Sequence, residues 1–215
     1  MIKNIIFDLD GTLANTAKDI INSLKYSLEK NNIKKNIDLN FFKKIANQGS
    51  ISMIRKIIGN KRILIKKINQ LFLDHYSKNI CINSFLKKDA LLLLRYCKKN
   101  KINLFVSTNK SEKNAKKLLK KLKIHTYFKF IAGNDTFNYK KPNPKHLSLL
   151  QKKIPFKKKE TFMIGDSDVD SKLASQFNIK FILMRNGYTA LESSEILSDF
   201  KVNSFKQVLK IIKKY

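Results

Sequence analysis

The chain has 215 residues, 43% of them hydrophobic, which is enough to bury one full core or a core carrying a modest inserted module. Its 45 Lys and Arg against 16 Asp and Glu give a formal charge of +29, yet lysine is spread over nearly every segment and the only arginines are Arg55, Arg62, Arg95 and Arg185, so a nucleic-acid footprint is not favoured. No run approaches the roughly 18 apolar residues of a membrane span, Asp8 and Asp10 interrupt the opening apolar run too early for a signal peptide, and Cys81 and Cys97, both in patterns that read as helical, are too few to staple the chain; reduced thiols and a cytoplasmic location are expected.

The first element is Ile5-Ile6-Phe7, an apolar run that stops abruptly at Asp8-Leu9-Asp10-Gly11 and reads as a buried strand ending in a loop. Alternation along the strand puts Asp8 and Asp10 on the same side. Two carboxylates about 4 Å apart repel by about 4 kcal/mol at an effective dielectric near 20, so a cation is expected between them. Gly11 allows a sharp turn just beyond.

A helix carrying Ile20, Ile21, Leu24 and Leu28 follows and ends in Lys30-Asn31-Asn32. Asp38 is placed to cap a second helix with Phe41, Phe42 and Ile45, and Ser50 to cap a third through Met53, Ile54, Ile57 and Ile58. A fourth runs from Arg62 to about Tyr76. Residues 15–84 hold no convincing strand and read as a helical module inserted after the first strand, which leaves 1–14 and 85–215 as the core.

Within that core, helices alternate with short apolar strands. A helix over 88–99 precedes the strand-like run 102–106, then Thr108-Asn109, then a helix that Ser111 caps. Residues 128–132 form a weaker strand, and Lys140-Lys141-Pro142-Asn143-Pro144 a loop that leads into a helix through Leu150. Thr161 to Ile164 is another strand, ending in Gly165-Asp166-Ser167-Asp168-Val169-Asp170. A helix through Phe177, a strand at 180–184, an edge strand at 200–202 and a terminal helix capped by Ser204 complete the chain. The pattern predicts an α/β fold: a Rossmann-like, doubly wound, mostly parallel sheet with the helical insert as a small second domain.

The polar clusters all come directly after strands. In an open parallel sheet those carboxyl ends line one edge, where ligands bind, so Asp8, Asp10, Thr108, Asn109 and Asp166 are expected to share a crevice. Five of the 16 acids fall in two five-residue windows. A hard divalent cation is the economical explanation, and Mg²⁺ fits best because it uses one or two carboxylates and leaves room for a phosphate. A calcium-binding EF-hand loop starting at Asp166 is excluded, since its sixth and twelfth positions hold Ser171 and Phe177 instead of glycine and glutamate.

Taken jointly, Asp8-Leu9-Asp10-Gly11-Thr12-Leu13, the strand ending in Thr108-Asn109, Lys141-Pro142-Asn143-Pro144 and Gly165-Asp166-Ser167 with Asp170 resemble the four motifs of the haloacid dehalogenase-like phosphatase superfamily. The helical insert, Thr108-Asn109-Lys110 and Gly187-Tyr188 make phosphoglycolate phosphatases the nearest resemblance within it. The resemblance implies that Asp8 attacks phosphorus and becomes a transient aspartyl phosphate, and that Asp10 protonates the leaving oxygen and then activates water. It implies Mg²⁺ held by the Asp8 and Asp166 carboxylates and the Asp10 backbone carbonyl, with Asp170 behind them orienting bound water or Lys141. Thr108, Asn109 and Lys141 would hold the phosphoryl group, and residues 15–84 would be a cap whose loop Asn47-Gln48-Gly49-Ser50 faces the substrate, with Gln48 and Gly49 against it.

The substrate implied is a small phosphorylated metabolite, 2-phosphoglycolate foremost; another small ester, pyrophosphate or a nucleotide is the alternative, acted on by a monomer or homodimer. From a different class, a basic nucleic-acid-binding protein on a retired scaffold remains as a rival, although every catalytic position is filled. Arg55 reads as a solvated residue, His75, His125 and His146 match no ligand spacing, and Asp19, Asp74, Asp89 and Asp168 receive no role.

Overall fold

The computed structural model describes residues 1–215. Strand β1 (Asn4–Phe7) is followed by the two-residue strand β2 (Ala14–Asn15) and by helices α1 (Ala17–Glu29), α2 (Leu39–Ile45), α3 (Ser50–Ile58) and α4 (Arg62–Lys78). The chain returns through β3 (Phe85–Leu86) and then alternates: α5 (Ala90–Lys99), β4 (Asn103–Ser107), α6 (Glu112–Lys121), β5 (Phe130–Ala132), α7 (Lys145–Lys153), β6 (Thr161–Gly165), α8 (Asp168–Phe177), β7 (Lys180–Met184), β8 (Phe200–Val202) and α9 (Phe205–Lys214).

Six strands form one sheet in the order β5-β4-β1-β6-β7-β8, and every neighbouring pair is parallel. Burial on both faces explains why the strands read as continuous apolar runs. Ile5 and Phe7 pack on one face with Val106, Phe162 and Ile182, under Leu94, Leu118 and Val208 of α5, α6 and α9. Ile6 packs on the other with Phe105, Met163 and Leu183, under Leu150 and Leu173 of α7 and α8. The register pairs Phe7 with Val106 on one side and Ile164 on the other. Whatever follows β1, β4 and β6 therefore leaves the sheet along the same edge.

Helices α1 to α4 pack on one another around Leu24, Ile54, Ile65, Ile68 and Phe72. They leave and rejoin the sheet side by side, because β2 and β3 pair antiparallel, Ala14 opposite Leu86 and Asn15 opposite Phe85. Asp19 reinforces this crossing. Sequence placed it on a helix surface without a role, but it is 3% exposed and accepts from the Asn83 backbone N–H (2.9 Å), Asn83 Nδ2 (2.9 Å), the Ser84 N–H (2.9 Å) and Ser84 Oγ (2.6 Å).

Several local expectations change. Ser50 lies inside α3, where Gly49 is the capping position, and its hydroxyl donates to Asn69 Oδ1 on α4. Helix α5 starts two residues late because Asp89 is left-handed (φ 64°). Cys97 is helical, but Cys81 is in the turn after α4 with φ 67°. The caps at Asp38 and Ser204 form as expected, accepting from the Phe41 and Gln207 backbone N–H groups.

Burial alone would push the Asp19 carboxyl up, but the hydrogen bonds from Ser84 and Asn83 outweigh it and hold the group below its ordinary value. Its contribution is thus present above the unfolded pKa of about 4 and is lost as pH falls through the lower folded value. Asp19→Asn is expected to reduce stability by about 1–3 kcal/mol at pH 7. In urea melts the gap between wild type and variant should narrow below about pH 4; a constant gap down to acid would contradict the assignment.

Candidate active site

The shared edge gathers the expected residues. Asp8 follows β1, Thr108 and Asn109 follow β4, Asp166 follows β6, Asp170 sits in the first turn of α8, and Lys141 enters from the loop before α7. Lys141 is 3% exposed, and its Nζ lies 2.6 Å from Asp8 Oδ1 and 2.6 Å from Asp170 Oδ1. Asp8, Asp166 and Asp170 each offer a carboxylate oxygen within 4.8 Å of the others.

Two of these three buried carboxylates pair directly with one ammonium, and Lys87 acts on Asp166 only through its charge from farther off. Burial, reinforced by Asp170 and Asp166 and opposed by Lys141, pushes the Asp8 carboxyl well above its ordinary value. Burial and the Asp170 charge push Asp166 up to about 6. For Lys141 burial acts to lower the pKa, and the charges of Asp170 and Asp8 more than reverse it. The cluster is short of positive charge, and its donors are all oxygen. A hard divalent cation fits that deficit.

The acids are held from behind. Thr12 Oγ1 donates to Asp166 Oδ1 (2.9 Å) and the Tyr188 N–H to Asp166 Oδ2 (2.6 Å). Two glycines make room for that carboxylate: Gly11 turns at φ 86°, and a Cβ on either Gly11 or Gly187 would run into Asp166. Asp170 Oδ2 accepts from Ser167 Oγ (2.7 Å) and, at 3.3 Å, from the Asp166 and Ser167 N–H groups, as part of the capping box that starts α8. Asp168 faces outward and pairs with Lys172.

Asp10 stands apart from these three. Its Oδ1 accepts from Thr16 Oγ1 (2.6 Å), and its Oδ2 is 3.0 Å from Lys110 Nζ. The two carboxylates pair with different lysines, Asp8 with Lys141 and Asp10 with Lys110. Among side chains, Asp170 rather than Asp10 completes the acidic trio.

A cleft of about 340 Å³ separates this edge from the helical segment, and Asp8, Asp10, Thr108, Lys141, Gln48 and Gly49 all line it. Within the 47–50 loop the contacts to the sheet edge come from Asn47, the first residue of the loop expected to face the substrate. Its Nδ2 donates to the Tyr188 carbonyl (2.6 Å), and its own carbonyl accepts from Asn109 Nδ2 (2.8 Å). Asn109 Nδ2 also reaches the Lys141 carbonyl (3.3 Å), so its amide braces two loops, while Gln48 is exposed and accepts from Ser52. Thr108 is buried with its hydroxyl accepting from the Lys110 N–H. Arg55 is exposed and lies off the cleft.

Tyr188 joins these parts. Its hydroxyl accepts from the Thr16 and Ala17 N–H groups (2.6 and 2.9 Å) and donates to Asn15 Oδ1 (2.7 Å), and its ring meets Phe42 edge-on at 5.3 Å. One residue contacts the Asp166 carboxylate, the exit of β2 and the helical segment.

The family model for haloacid dehalogenase-like hydrolases matches residues 5–184. The phosphoglycolate phosphatase of Mesorhizobium japonicum is 31% identical over 205 residues, which cover 91% of this chain and 90% of that protein. That of Aquifex aeolicus is 28% identical over 97% of this chain and 95% of its own. The fold is similar to the crystal structure of a predicted phosphoglycolate phosphatase from Haemophilus somnus 129pt, with a TM-score of 0.92, 24% identity and coverage of 98% and 97%.

Because the Gly187 position touches Asp166, Gly187→Ala is expected to weaken divalent-cation binding by about 10- to 100-fold. Calorimetric titration of Mg²⁺ into the folded variant checks this, and unchanged affinity would show that Asp166 does not hold the ion.

Proposed function

Because this chain belongs to the haloacid dehalogenase-like hydrolases, we propose that it is a Mg²⁺-dependent phosphatase that hydrolyses a small phosphate monoester, 2-phosphoglycolate foremost, through an aspartyl phosphate on Asp8. The observation that carries this reading is the buried trio of Asp8, Asp166 and Asp170, with the Lys141 ammonium 2.6 Å from both Asp8 and Asp170. The phosphoglycolate phosphatases similar to nearly the full length of the chain direct it to that substrate.

In the first half-reaction an Asp8 carboxylate oxygen bonds to phosphorus as the bond from phosphorus to the ester oxygen breaks, and Asp10 gives that oxygen its proton. Lys141 offsets the charge that gathers on Asp8 and the phosphoryl oxygens, and the Thr108 hydroxyl and nearby backbone amides hydrogen-bond those oxygens. In the second half-reaction Asp10 takes a proton from water, the water oxygen attacks phosphorus, and the bond to Asp8 breaks to release phosphate and restore both carboxyl groups.

Mg²⁺ would be held by the Asp8 and Asp166 carboxylates and the Asp10 carbonyl, and would supply the positive charge that lets a carboxylate approach a phosphate dianion. Asp170 keeps Lys141 in place. Residues 15–84 act as a cap over the core of 1–14 and 85–215, with the Asn47 contacts seating the 47–50 loop and excluding water. The small cleft suits a small ester; other metabolites, pyrophosphate and nucleotides are the substrates against which 2-phosphoglycolate is to be compared.

Asp8→Asn is expected to lower kcat by more than about 10³-fold while the protein stays folded, and chelation of Mg²⁺ to stop the wild type reversibly. Phosphate release with and without EDTA, beside a circular dichroism melt of the variant, checks both. A near-wild-type rate for the folded variant would remove Asp8 from the nucleophile's role.

A further inference from the structure

We propose, resting on the reading of Asp10 as proton donor to the leaving oxygen, that Lys110 recognises the substrate's leaving group, and that what it recognises is a carboxylate one methylene from that oxygen. Lys110 follows Thr108 and Asn109 at the end of β4, and its side chain is 7% exposed. Its Nζ is 3.0 Å from Asp10 Oδ2, 2.9 Å from the Tyr76 hydroxyl and 4.3 Å from the centre of the Tyr76 ring. Tyr76 belongs to α4, so the ammonium is clamped between the sheet edge and the helical segment.

Three lysines line the cleft: Lys110, Lys140 and Lys141. Lys140 is exposed, and Lys141 is held by Asp8 and Asp170 at the phosphoryl end. Lys110 is therefore the buried cation on the side of Asp10. An ammonium has three N–H donors; Asp10 and Tyr76 take two, which leaves one for a ligand.

The lengths agree with a short acid. An ester oxygen accepting a proton from Asp10 sits about 2.7 Å from that carboxyl. In a chain of oxygen, methylene and carboxylate, the carboxylate oxygens lie about 2.6 to 3.6 Å from the ester oxygen, given ordinary bond lengths near 1.5 Å. A cation 3.0 Å from Asp10 is within reach of that carboxylate. Once Asp10 carries the proton for the leaving oxygen, its pair with Lys110 no longer joins two opposite charges, and a substrate carboxylate answers the ammonium where a neutral group does not. The Tyr76 hydroxyl and ring face hold the ammonium in position while Asp10 and the substrate share it.

The test compares kcat/KM for 2-phosphoglycolate and its neutral amide, 2-phosphoglycolamide, which have the same leaving atom and nearly the same size. Wild type is expected to prefer the acid, and Lys110→Met to lower the acid-to-amide ratio by about 30-fold or more, the size of a lost buried charge contact. Tyr76→Phe, which keeps the ring and removes the hydroxyl, is expected to lower the ratio by a smaller factor, and it decides the matter alone if Lys110→Met does not fold. Parallel loss on both esters, with the ratio unchanged in each folded variant, would show that Lys110 only braces Asp10 and would overturn the proposal. Equal wild-type rates on acid and amide would overturn carboxylate recognition while leaving the phosphatase reading intact. Hydrolysis of neither, with another phosphate ester turned over, would overturn the substrate reading and this proposal together.

Discussion

The ammonium of Lys141, 2.6 Å from both Asp8 and Asp170, is the interaction on which the rest of the arrangement depends. Taking a carboxylate out of water costs several kcal/mol even after relaxation, and like charges about 4 Å apart add about 4 kcal/mol at an effective dielectric near 20. Lys141, with Lys87 acting on Asp166 from farther off, offsets only part of the charge of three such groups. A site built this way is a poor stabiliser of the fold and a good receptor for further positive charge, which is the electrostatic basis for proposing a divalent ion and a phosphoryl group there. The parallel sheet makes the strain tolerable, because the carboxylates come off adjacent strand ends whose register is fixed by two buried faces. Glycines at 11 and 187 and the capping box of α8 then set each carboxylate to within a narrow range of positions.

A second set of contacts ties the helical segment to that edge. Asp19 and the β2–β3 pair hold the two crossings together, Tyr188 links one crossing to Asp166, and Asn47 hooks the 47–50 loop onto Tyr188 and Asn109. Lys110 and Tyr76 make the same bridge from the other side of the cleft. These polar links sit beside apolar contact, since Phe42 packs on the Tyr188 ring and one buried cluster includes residues of both the helical segment and the sheet core. If the segment works as a cap, its position is therefore coupled to the acids through side chains that touch both.

Much of this was legible in the sequence for a definite reason. Asp8, Asp10, Asp166 and Asp170 stand out because an apolar strand ends in acid, and a parallel topology puts all strand ends of one polarity together whatever their separation along the chain. The helices followed from their periodicity, and Asp38 and Ser204 from cap chemistry that is local. What was not legible depends on partners distant in sequence. Asp19 looks like any polar residue on the first turn of a helix until the loop at Asn83 and Ser84 folds onto it. Lys110 is one lysine among many, and only Asp10 and Tyr76 on either side mark it out. Asn47 stood in the loop that was noticed, but its left-handed backbone (φ 77°), which accompanies its contacts to Tyr188 and Asn109, leaves no periodic signal. Cys81 and Ser50 were misplaced because helix ends are set by such contacts as well as by pattern.

Where the phosphoryl group goes first distinguishes covalent catalysis on Asp8 from direct hydrolysis. Enzyme mixed with excess 2-phosphoglycolate and Mg²⁺, quenched in acid within one turnover and digested, should give a peptide containing Asp8 that carries one phosphoryl group, which hydroxylamine removes. The same peptide unmodified at every quench time, while phosphate is released at the full rate, would mean that water attacks the substrate directly and that Asp8 is not the nucleophile.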